Sequence, residues 1–471
     1  MSTYRLTDAE RRTYLRYAGL ALPRHTSYPI APLWRTDYGP ARFRDDLGRV
    51  PVPGGGLSLY VHIPFCERLC YYCACTKEIV PPERRRQLDP GESFLDGLAL
   101  EAAQVAGTLG GAEARQVHLG GGSPTFLTVP QLLRLGGILR RHFRFAPGAE
   151  AAVEIDPRIT SREQLEVLRG LGFNRVSLGV QDFDPRVQRA VHRTQPVEVV
   201  ARAVEWCRAL GFASVNFDLI YGLPFQTLAG MADTLEKTLA LRPDRIAFYR
   251  LAVIPDIFRW QNVFRPEDLP AGELSLELNL LAINRFLGAG YEFVGLDHFA
   301  RPDEALAQAR RAGTLRRNFQ GMTTGAELEI VGLGPSAISQ LGAAFAQNVK
   351  ASHAWRQAVA GGLATERGLR LTPEDRLRRE LMQQLYGYGV IDKRRLGERF
   401  GITFDEHFAA ERRRLADLIA DGLAEEDGRH VRLTAPLGRL LVRVVAAVFD
   451  AYLPADAYRA GLPAHLSSKV G

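Results

Sequence analysis

The chain has 471 residues, of which 46% are hydrophobic and 24% charged, and these proportions are typical of a soluble globular protein with two or three domains. Its 60 Lys and Arg against 53 Asp and Glu give a net charge of +7, a mild and scattered excess that does not indicate a nucleic-acid partner. The first residues show no apolar signal segment, and no uninterrupted apolar run is long enough to cross a membrane. We therefore expect a cytoplasmic protein that binds neither membrane nor nucleic acid.

Residues 1–50 predict an N-terminal arm, and residues 51–345 repeat a pattern of strand, Gly- or Pro-marked turn and helix. The predicted strands are LSLYVHIPF, ARQVHLGGG, EAAVEIDPR, RVSLGVQDF, SVNFDLIYGLP, RIAFYRLAVIP and YEFVGLDHF. Two helix starts fit capping boxes, Thr128 with Gln131 and Thr160 with Glu163. Strands that alternate with helices at this spacing predict a parallel sheet, either doubly wound or closed into a barrel.

The repeating pattern of strand, turn and helix ends near residue 345, and residues 346–471 predict a mostly helical domain. Thr372 is the predicted N-cap of one helix, with Pro373 at its first position and Asp375 three residues after the cap. Asp427-Gly428 then predicts a hairpin turn. Helices followed by a hairpin suggest a winged-helix-like domain. No dense basic recognition helix stands out, so DNA binding is not expected.

Four of the five cysteines lie within one loop, PFCERLCYYCACT, as Cys66, Cys70, Cys73 and Cys75, whereas Cys207 lies on an apolar helical face. Three kinds of site compete for this loop. Structural zinc favours two separated Cys pairs, and a redox Cys-x-x-Cys leaves the neighbouring thiols unexplained. An iron–sulfur cluster needs several soft thiolates close together, and this spacing favours it.

Glycine-rich and polar segments follow the predicted strands: the cysteine loop, GGGSPT, EIDP, QDF and DLIYGLP. The carboxyl ends of parallel strands are where α/β folds keep their sites. These segments therefore predict one shared active site.

The Cys-x3-Cys-x2-Cys spacing after a first strand resembles the radical S-adenosylmethionine (SAM) superfamily. Its flank, YVHIPFCERLCYYCAC, resembles more narrowly the oxygen-independent coproporphyrinogen III oxidase family. Further segments carry the same resemblance: RHTSYP, LGGGSPTFL, EIDPR, LGVQDFD, FDLIYGLP, GLDHFARPD, RRNFQGMTT and GPSAIS. They occur in order from about residue 20 to the C-terminus.

The resemblance implies a partial (β/α)6 TIM-like radical SAM barrel, whose open side receives one [4Fe–4S] cluster, SAM and substrate. It assigns Cys66, Cys70 and Cys73 to the cluster. It implies two SAM molecules, the first at Tyr60, Gly121, Glu154, Ala252 and Ile338, and the second at Tyr72, Gly122, Ser123, Gln181, Arg193 and Asp218. It assigns catalytic or substrate-side roles to Tyr60, His62, Cys75 and Gln320.

The activity implied is the oxidative decarboxylation of two propionates of coproporphyrinogen III to the vinyl groups of protoporphyrinogen IX without oxygen, a step of heme biosynthesis. A reduced cluster gives one electron to SAM, and the 5′-deoxyadenosyl radical removes a propionate β-hydrogen. A low-potential flavodoxin or ferredoxin is the expected electron donor, and we expect a monomer. The alternative is a paralogous, methyltransferase-like radical SAM enzyme that acts on another substrate. From other classes, a tetrapyrrole carrier and a DNA-binding sensor remain as hypotheses.

The chain departs from the family's pattern at a few positions. Leu251 and Val253 stand where the family has tyrosine and histidine, Met322 where it has tyrosine, and Pro335 where it has valine. His25 replaces the usual tyrosine of the N-terminal motif. We expect the first three to make the substrate cavity more apolar while leaving SAM cleavage intact.

Overall fold

The structure is a computed structural model that describes residues 4–50, 56–325, 328–463 and 468–470, without the side chain of Arg86. The predicted domain limits at residues 1, 51 and 471 lie outside these ranges.

The described strands are β1 (Ala21–Leu22), β2 (Gly56–Ile63), β3 (Phe65–Cys66), β4 (Glu78–Ile79), β5 (Glu113–Gly121), β6 (Arg144–Ile155), β7 (Arg175–Gln181), β8 (Ser214–Tyr221), β9 (Arg245–Arg250), β10 (Glu292–Gly295), β11 (His298–Ala300), β12 (Arg316–Asn318), β13 (Gly321–Thr323), β14 (Glu329–Leu333), β15 (Ile338–Gln340), β16 (Ala344–Asn348), β17 (Thr365–Arg370), β18 (Val390–Asp392), β19 (Ala424–Glu426), β20 (His430–Leu433) and β21 (Ser468–Lys469).

The described α-helices are α1 (Asp8–Ala18), α2 (Pro40–Leu47), α3 (Pro82–Leu88), α4 (Pro90–Leu109), α5 (Val129–His142), α6 (Arg162–Gly170), α7 (Pro185–Ala190), α8 (Val197–Ala209), α9 (Leu228–Leu241), α10 (Gly272–Gly288), α11 (Ala305–Arg311), α12 (Ser352–Gly361), α13 (Pro373–Tyr388), α14 (Lys393–Phe400), α15 (Phe404–His407), α16 (Ala409–Ala420), α17 (Leu437–Leu440), α18 (Val442–Val448) and α19 (Ala457–Ala460).

Twelve of these strands form one sheet in the order β10-β11-β9-β8-β7-β6-β5-β2-β14-β15-β16-β17. The run from β9 to β14 is parallel, and antiparallel strands flank it on both sides. Six of the seven predicted strands are β2, β5, β6, β7, β8 and β9, with helices between them, so the predicted partial (β/α)6 barrel is confirmed. The seventh predicted strand is an antiparallel hairpin, β10–β11.

Strand β2 shows why this sheet is buried on both faces. One alternating set of its residues belongs to the main hydrophobic core together with α4, namely Leu57, Leu59, Val61 and Ile63. The other set faces the barrel interior, where Ser58 lines a cavity and Tyr60 bonds to His62. The period of two therefore places polar and aromatic side chains of β2 inside the barrel.

Two of the predicted helix caps are confirmed, and one is wrong. Thr128 with Gln131 and Thr372 with Asp375 form capping boxes. The start of α6 is capped one residue later than predicted, by Ser161 with Gln164. The Thr160 hydroxyl instead donates to the Asp156 carbonyl oxygen at 2.8 Å, which closes the turn after β6.

The C-terminal residues form a second core. The predicted hairpin joins β19 to β20, and β18 completes a three-stranded sheet beside the helices. Helix α18 is buried on all sides. Arg443 on this helix donates to backbone carbonyl oxygens such as that of Pro23. The large sheet runs past residue 345 as far as Arg370, and the predicted limit between the two domains stays a prediction.

The N-terminal arm packs against this second core. Tyr14, Tyr17 and Leu22 share one hydrophobic cluster with the C-terminal helices, and β1 pairs with β21. His25 is buried between Tyr386 and Asp450, with hydrogen bonds of 2.8 and 2.9 Å. The departure at His25 is therefore matched by partners that hold the arm in place.

Candidate active site

The cysteine loop connects β3 to β4, which pair in parallel beside the carboxyl end of β2. Cys70 is buried, Cys66 and Cys73 are half-buried, and Cys75 is exposed. None of the five cysteines forms a disulfide, and Cys207 is fully buried in the core beneath α8, as predicted. The loop thus presents four free thiols at the end of the barrel where the sequence predicts the site.

Side chains from distant segments hold the backbone of this loop. The Trp260 indole N–H donates to the Cys73 carbonyl oxygen at 3.1 Å. The Lys77 ammonium lies 3.9 Å from the centre of the Trp260 ring and donates to the carbonyl oxygens of Cys73 and Cys75, each at 3.2 Å. These contacts tie the segment after β9 to the loop and fix the path of its last two cysteines.

The thiols of Cys73 and Cys75 shift each other's pKa in opposite directions. A hydrogen bond from the Cys75 thiol lowers the pKa of Cys73 to about 6. The same contact raises the pKa of Cys75 well above its ordinary value. The two thiols therefore titrate as a coupled pair.

A cavity of about 180 Å³, the cysteine cavity, lies between this loop and the ends of β5, β6, β7 and β8. It brings together most of the predicted cluster and SAM residues, namely Cys66, Cys70, Cys73, Cys75, Tyr72, Gly121, Gly122, Ser123, Glu154, Gln181, Arg193 and Asp218. Residues far apart in sequence thus meet at one place, as the position of their motifs after the strands predicts.

Two glycines at the end of β5 leave no room for side chains. Gly121 has φ +113°, and a Cβ on it would lie 2.8 Å from the His62 ring. A Cβ on Gly122 would lie 2.6 Å from the Phe65 carbonyl oxygen. The strand therefore offers bare backbone to the cavity, which suits the close approach of a ligand.

Tyr60 and His62 lie on β2, the strand beside β5. The Thr76 carbonyl can only accept, so His62 donates from Nε2 to it at 2.9 Å and accepts at Nδ1 from the Tyr60 hydroxyl at 3.0 Å. Burial lowers the pKa of His62, so the ring is neutral. His62 thus links β2 to the end of the cysteine loop.

Glu154 is held ionised at the cavity wall. Its carboxylate accepts from His118 Nε2 at 3.0 Å and from the Gly121 N–H at 3.3 Å. Burial opposes ionisation, but these contacts outweigh it and lower the pKa of Glu154 below its ordinary value. A charged acceptor is therefore available to ligand amino or hydroxyl groups.

A group of charged side chains surrounds Cys70, and of its members the sequence analysis singled out only Arg193. Arg193 and Arg158 direct guanidinium N–H groups at its sulfur, at 3.6 and 3.8 Å. Asp156 pairs with both, at 3.3 Å to Arg193 and 2.6 Å to Arg158. Burial works against ionisation of Asp156, yet the two guanidinium groups lower its pKa. Asp156 and Arg158 both lie in the segment EIDPR, so this motif could have pointed to them from the sequence.

Gln181 and Asp218 complete the far wall. Gln181 has φ +69°, and its Oε1 is buried with no hydrogen-bond partner in the described part of the chain. Asp218 accepts from Ser177 and Asn216, each at 3.0 Å. Burial, together with the nearby Glu154 carboxylate, raises the pKa of Asp218 to about 6. The wall therefore holds a residue with a strained backbone and a carboxyl group whose negative charge the protein does not fully compensate. Both features are typical of ligand sites.

Replacing Asp218 by asparagine is expected to stabilise the protein at pH 8. The folded-state pKa of about 6 lies above the ordinary 3.8, so the ionised group costs the folded state up to about 3 kcal/mol at high pH. The gain should be full above pH 6 and should vanish as the pH falls towards 4. The melting temperatures of wild type and Asp218→Asn at pH 8 and pH 5 measure this gain. Asp45 is exposed, so Asp45→Asn serves as the control. Equal melting temperatures for wild type and variant at pH 8 would refute it.

A second cavity of about 160 Å³, the barrel cavity, lies inside the sheet. Glu154, Ser177 and Asp218 line both cavities, so the two are adjacent. Gln320, predicted to face the substrate, lines the barrel cavity, and its Nε2 is buried with no hydrogen-bond partner among the described residues. Met322 lines the same cavity. The predicted substrate-side residue is thus available to a ligand.

Three predicted SAM residues are not in the lining of the cysteine cavity, namely Tyr60 on β2, Ala252 and Ile338. The Ala252 carbonyl oxygen accepts from Gln261 Nε2 at 3.0 Å, and the same amide reaches the Tyr72 carbonyl oxygen at 3.4 Å. Ile338 follows β14, in which Gly332 pairs with Tyr60. Ala252 and Ile338 are both at the carboxyl end of the barrel.

The three departures expected at the substrate cavity, Leu251, Val253 and Met322, fall in two places. Leu251 and Val253 pack with Tyr71 and Tyr72 in a small apolar cluster beneath the cysteine loop. Of the three, only Met322 lines the barrel cavity, so for Leu251 and Val253 the expectation of a more apolar substrate cavity stays a prediction.

The donor set fits the cofactors of the superfamily. Within the described ranges, no three His, Cys, Asp or Glu side chains are close enough to hold a single metal ion. A [4Fe–4S] cubane instead takes each thiolate on a different iron, and three half-buried or buried thiols facing one cavity suit it. The bare glycine backbone, the Glu154 carboxylate and the orphaned Gln181 Oε1 suit the polar groups of SAM.

Comparison with known proteins identifies both parts of the chain. The radical SAM superfamily matches residues 60–238, and the HemN C-terminal domain matches residues 371–441. The oxygen-independent coproporphyrinogen III oxidase of Escherichia coli (strain K12) is 41% identical over 432 residues, covering 92% of this chain and 93% of that protein. The enzyme of the same name from Pseudomonas aeruginosa is also 41% identical, over 93% of this chain and 95% of its own length.

A solved structure shares the whole architecture. The coproporphyrinogen III oxidase (HemN) from Escherichia coli, described as a radical SAM enzyme, matches with a TM-score of 0.86 and 39% identity. The match covers 92% of this chain and 100% of that one. No helix in the part of the chain that the structure describes is long and apolar enough to cross a membrane. This chain belongs to the oxygen-independent coproporphyrinogen III oxidase family of the radical SAM superfamily.

Proposed function

We propose that this protein catalyses the oxygen-independent oxidative decarboxylation of two propionates of coproporphyrinogen III to give protoporphyrinogen IX. The observation that carries the proposal is one cavity in which the three-cysteine loop meets Glu154, Arg193 and Asp218, beside a barrel cavity that contains Gln320. Each propionate loses CO2, one hydrogen atom and one electron, and a terminal electron acceptor takes that electron. A vinyl group remains.

The cluster is assigned to Cys66, Cys70 and Cys73. Together with SAM, it supplies when bound the one-electron chemistry that removes a hydrogen atom from an unactivated carbon. The cysteine loop positions the three thiolates, and Lys77 and Trp260 hold its backbone. The guanidinium groups of Arg158 and Arg193 stabilise negative charge at the Cys70 sulfur.

The first SAM site is assigned to Tyr60, Gly121, Glu154, Ala252 and Ile338, of which Gly121 ends β5 and Glu154 accepts from its N–H. Glu154 would accept from the amino or hydroxyl groups of the ligand, because its carboxylate is ionised. Gly121 presents backbone without a side chain. Tyr60 and His62 act behind them, since their hydrogen-bond chain fixes the loop end at Thr76.

A second SAM molecule is assigned to Tyr72, Gly122, Ser123, Gln181, Arg193 and Asp218. The support is that all six line the cysteine cavity. The polar groups of Gln181 and Asp218 are not fully compensated within the protein, so a ligand that bonds to them recovers that cost. Gln320 is assigned to the substrate, and Cys75 to the cavity wall as a free thiol.

The remaining assignments concern the electron donor, the oligomeric state and the cellular location of the protein. A low-potential flavodoxin or ferredoxin would reduce the cluster, and we propose a monomer acting in the cytoplasm. The alternative activity, a methyltransferase-like reaction on another substrate, has no observation of its own in its favour.

An anaerobic assay with SAM, dithionite and coproporphyrinogen III tests the proposal. Two CO2 per protoporphyrinogen, with 5′-deoxyadenosine formed alongside, are the expected products. Formation of S-adenosylhomocysteine, or of 5′-deoxyadenosine without CO2, would point instead to another substrate. Absence of SAM turnover would point to a carrier or sensor.

Restoring the family's tyrosine at Met322 is expected to raise decarboxylation about fivefold, the gain from one net hydrogen bond inside the barrel cavity. Leu251→Tyr and Val253→His are expected only to lower stability, by about 1 kcal/mol, since they disturb an apolar cluster. Anaerobic turnover rates and melting temperatures of the three variants measure this. A Met322→Tyr variant with unchanged turnover would show that the departure is neutral.

A further inference from the structure

A third cavity, of about 340 Å³, lies between the start of β14, the β12–β13 hairpin and helix α13. Five arginines line it, Arg316, Arg317, Arg376, Arg379 and Arg399, against two carboxylates, Glu329 and Glu380. We call it the arginine cavity. A concave surface with this excess of guanidinium groups favours an anionic ligand.

The carboxylates do not neutralise these arginines evenly. Glu380 pairs with Arg399 at 3.0 Å and lies 3.9 Å from Arg316. Burial raises the pKa of Glu329, which opposes its ionisation. Arg376 and Arg379 make no side-chain hydrogen bond or ion pair with any residue inside the described ranges. As far as the described residues go, these two guanidinium groups therefore remain available at the cavity wall.

Arg379 is the more constrained of the two. Its guanidinium carbon lies 5.3 Å from the centre of the Phe345 ring, so one face rests on an aromatic side chain. Burial lowers the pKa of Arg379, because the surroundings do not compensate its charge fully. Arg317 lines the same cavity, and its Nε is buried without a hydrogen-bond partner among the described residues. Cationic donors without a protein partner are suited to binding an anion.

The arginine cavity adjoins the barrel cavity. Asn318 and Thr323 line both, and they lie on the hairpin whose turn carries Gln320. A ligand in the barrel cavity at Gln320 can therefore extend around the hairpin towards Arg379. The cavity is at the lower end of the size range of ligand pockets, about 300–1,000 Å³, and suits one edge of a large ligand.

We propose that the arginine cavity binds the carboxylates of the tetrapyrrole that do not react. This inference rests on the proposed function, because coproporphyrinogen III carries four propionates and only two are decarboxylated. The guanidinium groups of Arg376 and Arg379 hold the spare carboxylates, and the ring places a reactive propionate near Gln320. The cavity would thus select a substrate by its number of carboxylates.

The test uses coproporphyrin III, the stable fluorescent relative of the substrate, with its uncharged tetramethyl ester as a comparison ligand. Binding to the anaerobically reconstituted protein is followed by fluorescence. The Kd of coproporphyrin III should rise about tenfold or more in Arg376→Gln/Arg379→Gln, since each lost bond joins two charged groups. The Kd of the ester should not change. Arg376 is exposed, so a glutamate is tolerated at this position. Arg376→Glu reverses the charge and should weaken binding of coproporphyrin III more than Arg376→Gln does.

A matched control removes the same charge elsewhere: Arg12→Gln/Arg413→Gln, on exposed faces of α1 and α16. Equal weakening by both double variants, or wild-type binding by Arg376→Glu, would overturn the inference. The two proposals fail separately. Arginine-dependent binding without decarboxylation would refute only the proposed function. Decarboxylation with unchanged Kd and KM in the arginine variants would refute only the role of the cavity.

Discussion

Replacing Cys66, Cys70 or Cys73 by serine is expected to reduce the iron content from about four atoms per chain to nearly none. Each thiolate binds a different iron of the cubane, and a serine hydroxyl does not replace a soft thiolate. Iron analysis and visible absorption after anaerobic reconstitution measure the effect. Formation of 5′-deoxyadenosine should disappear together with the colour.

Cys207→Ala provides the control. Cys207 is fully buried on the core-facing side of α8 and does not line the cysteine cavity, so the variant should keep its iron and lose only packing. A colourless wild-type protein that holds one zinc ion would contradict the assignment. Full iron content in Cys73→Ser would contradict it as well.

Replacing Cys75 by serine is expected to keep the iron and the visible absorption while lowering decarboxylation about 100-fold, the scale of a lost group at the reacting centre. An iron that binds SAM needs an open coordination position, so three thiolates complete the cluster. One residue separates Cys75 from Cys73, and the contacts of Lys77 and Trp260 leave the loop little freedom to bring a fourth sulfur to the same cluster.

Iron content and turnover of Cys75→Ser and Cys75→Ala, measured side by side, separate the two roles of a thiol. A Cys75→Ser variant that loses iron as Cys66→Ser does would make Cys75 a ligand. A variant with full decarboxylation would make the thiol dispensable.

The sequence was sufficient for the barrel because its pattern repeats. Each of the six predicted parallel strands is followed by a turn marked with glycine or proline and by a helix, so local signals and topology agree. Strand β14 was missed because it has five residues and is paired by β2 across a long separation in sequence. The cap of α6 was displaced by one residue, since Thr160 is recruited by the Asp156 carbonyl oxygen.

The site residues could be predicted only as far as motifs reached. Spacing pointed to the cysteine loop, and resemblance supplied Glu154, Gln181 and Asp218, which the structure brings to one cavity. Lys77 and Trp260 could not be paired from sequence, because a loop contact between residues so far apart has no periodic signal. Met322 and Leu251 looked alike as departures, yet only the fold separates an inward-facing strand position from a packed loop position.

The measurement that tests the central claim most directly is a transfer of label. Coproporphyrinogen III deuterated at the propionate β-carbons is incubated anaerobically with the reconstituted protein, SAM and dithionite, and the 5′-deoxyadenosine is analysed by mass spectrometry. One deuterium in the 5′-deoxyadenosine, formed in step with CO2, is the predicted result. Unlabelled 5′-deoxyadenosine alongside CO2 release, or CO2 release without SAM cleavage, would contradict the account.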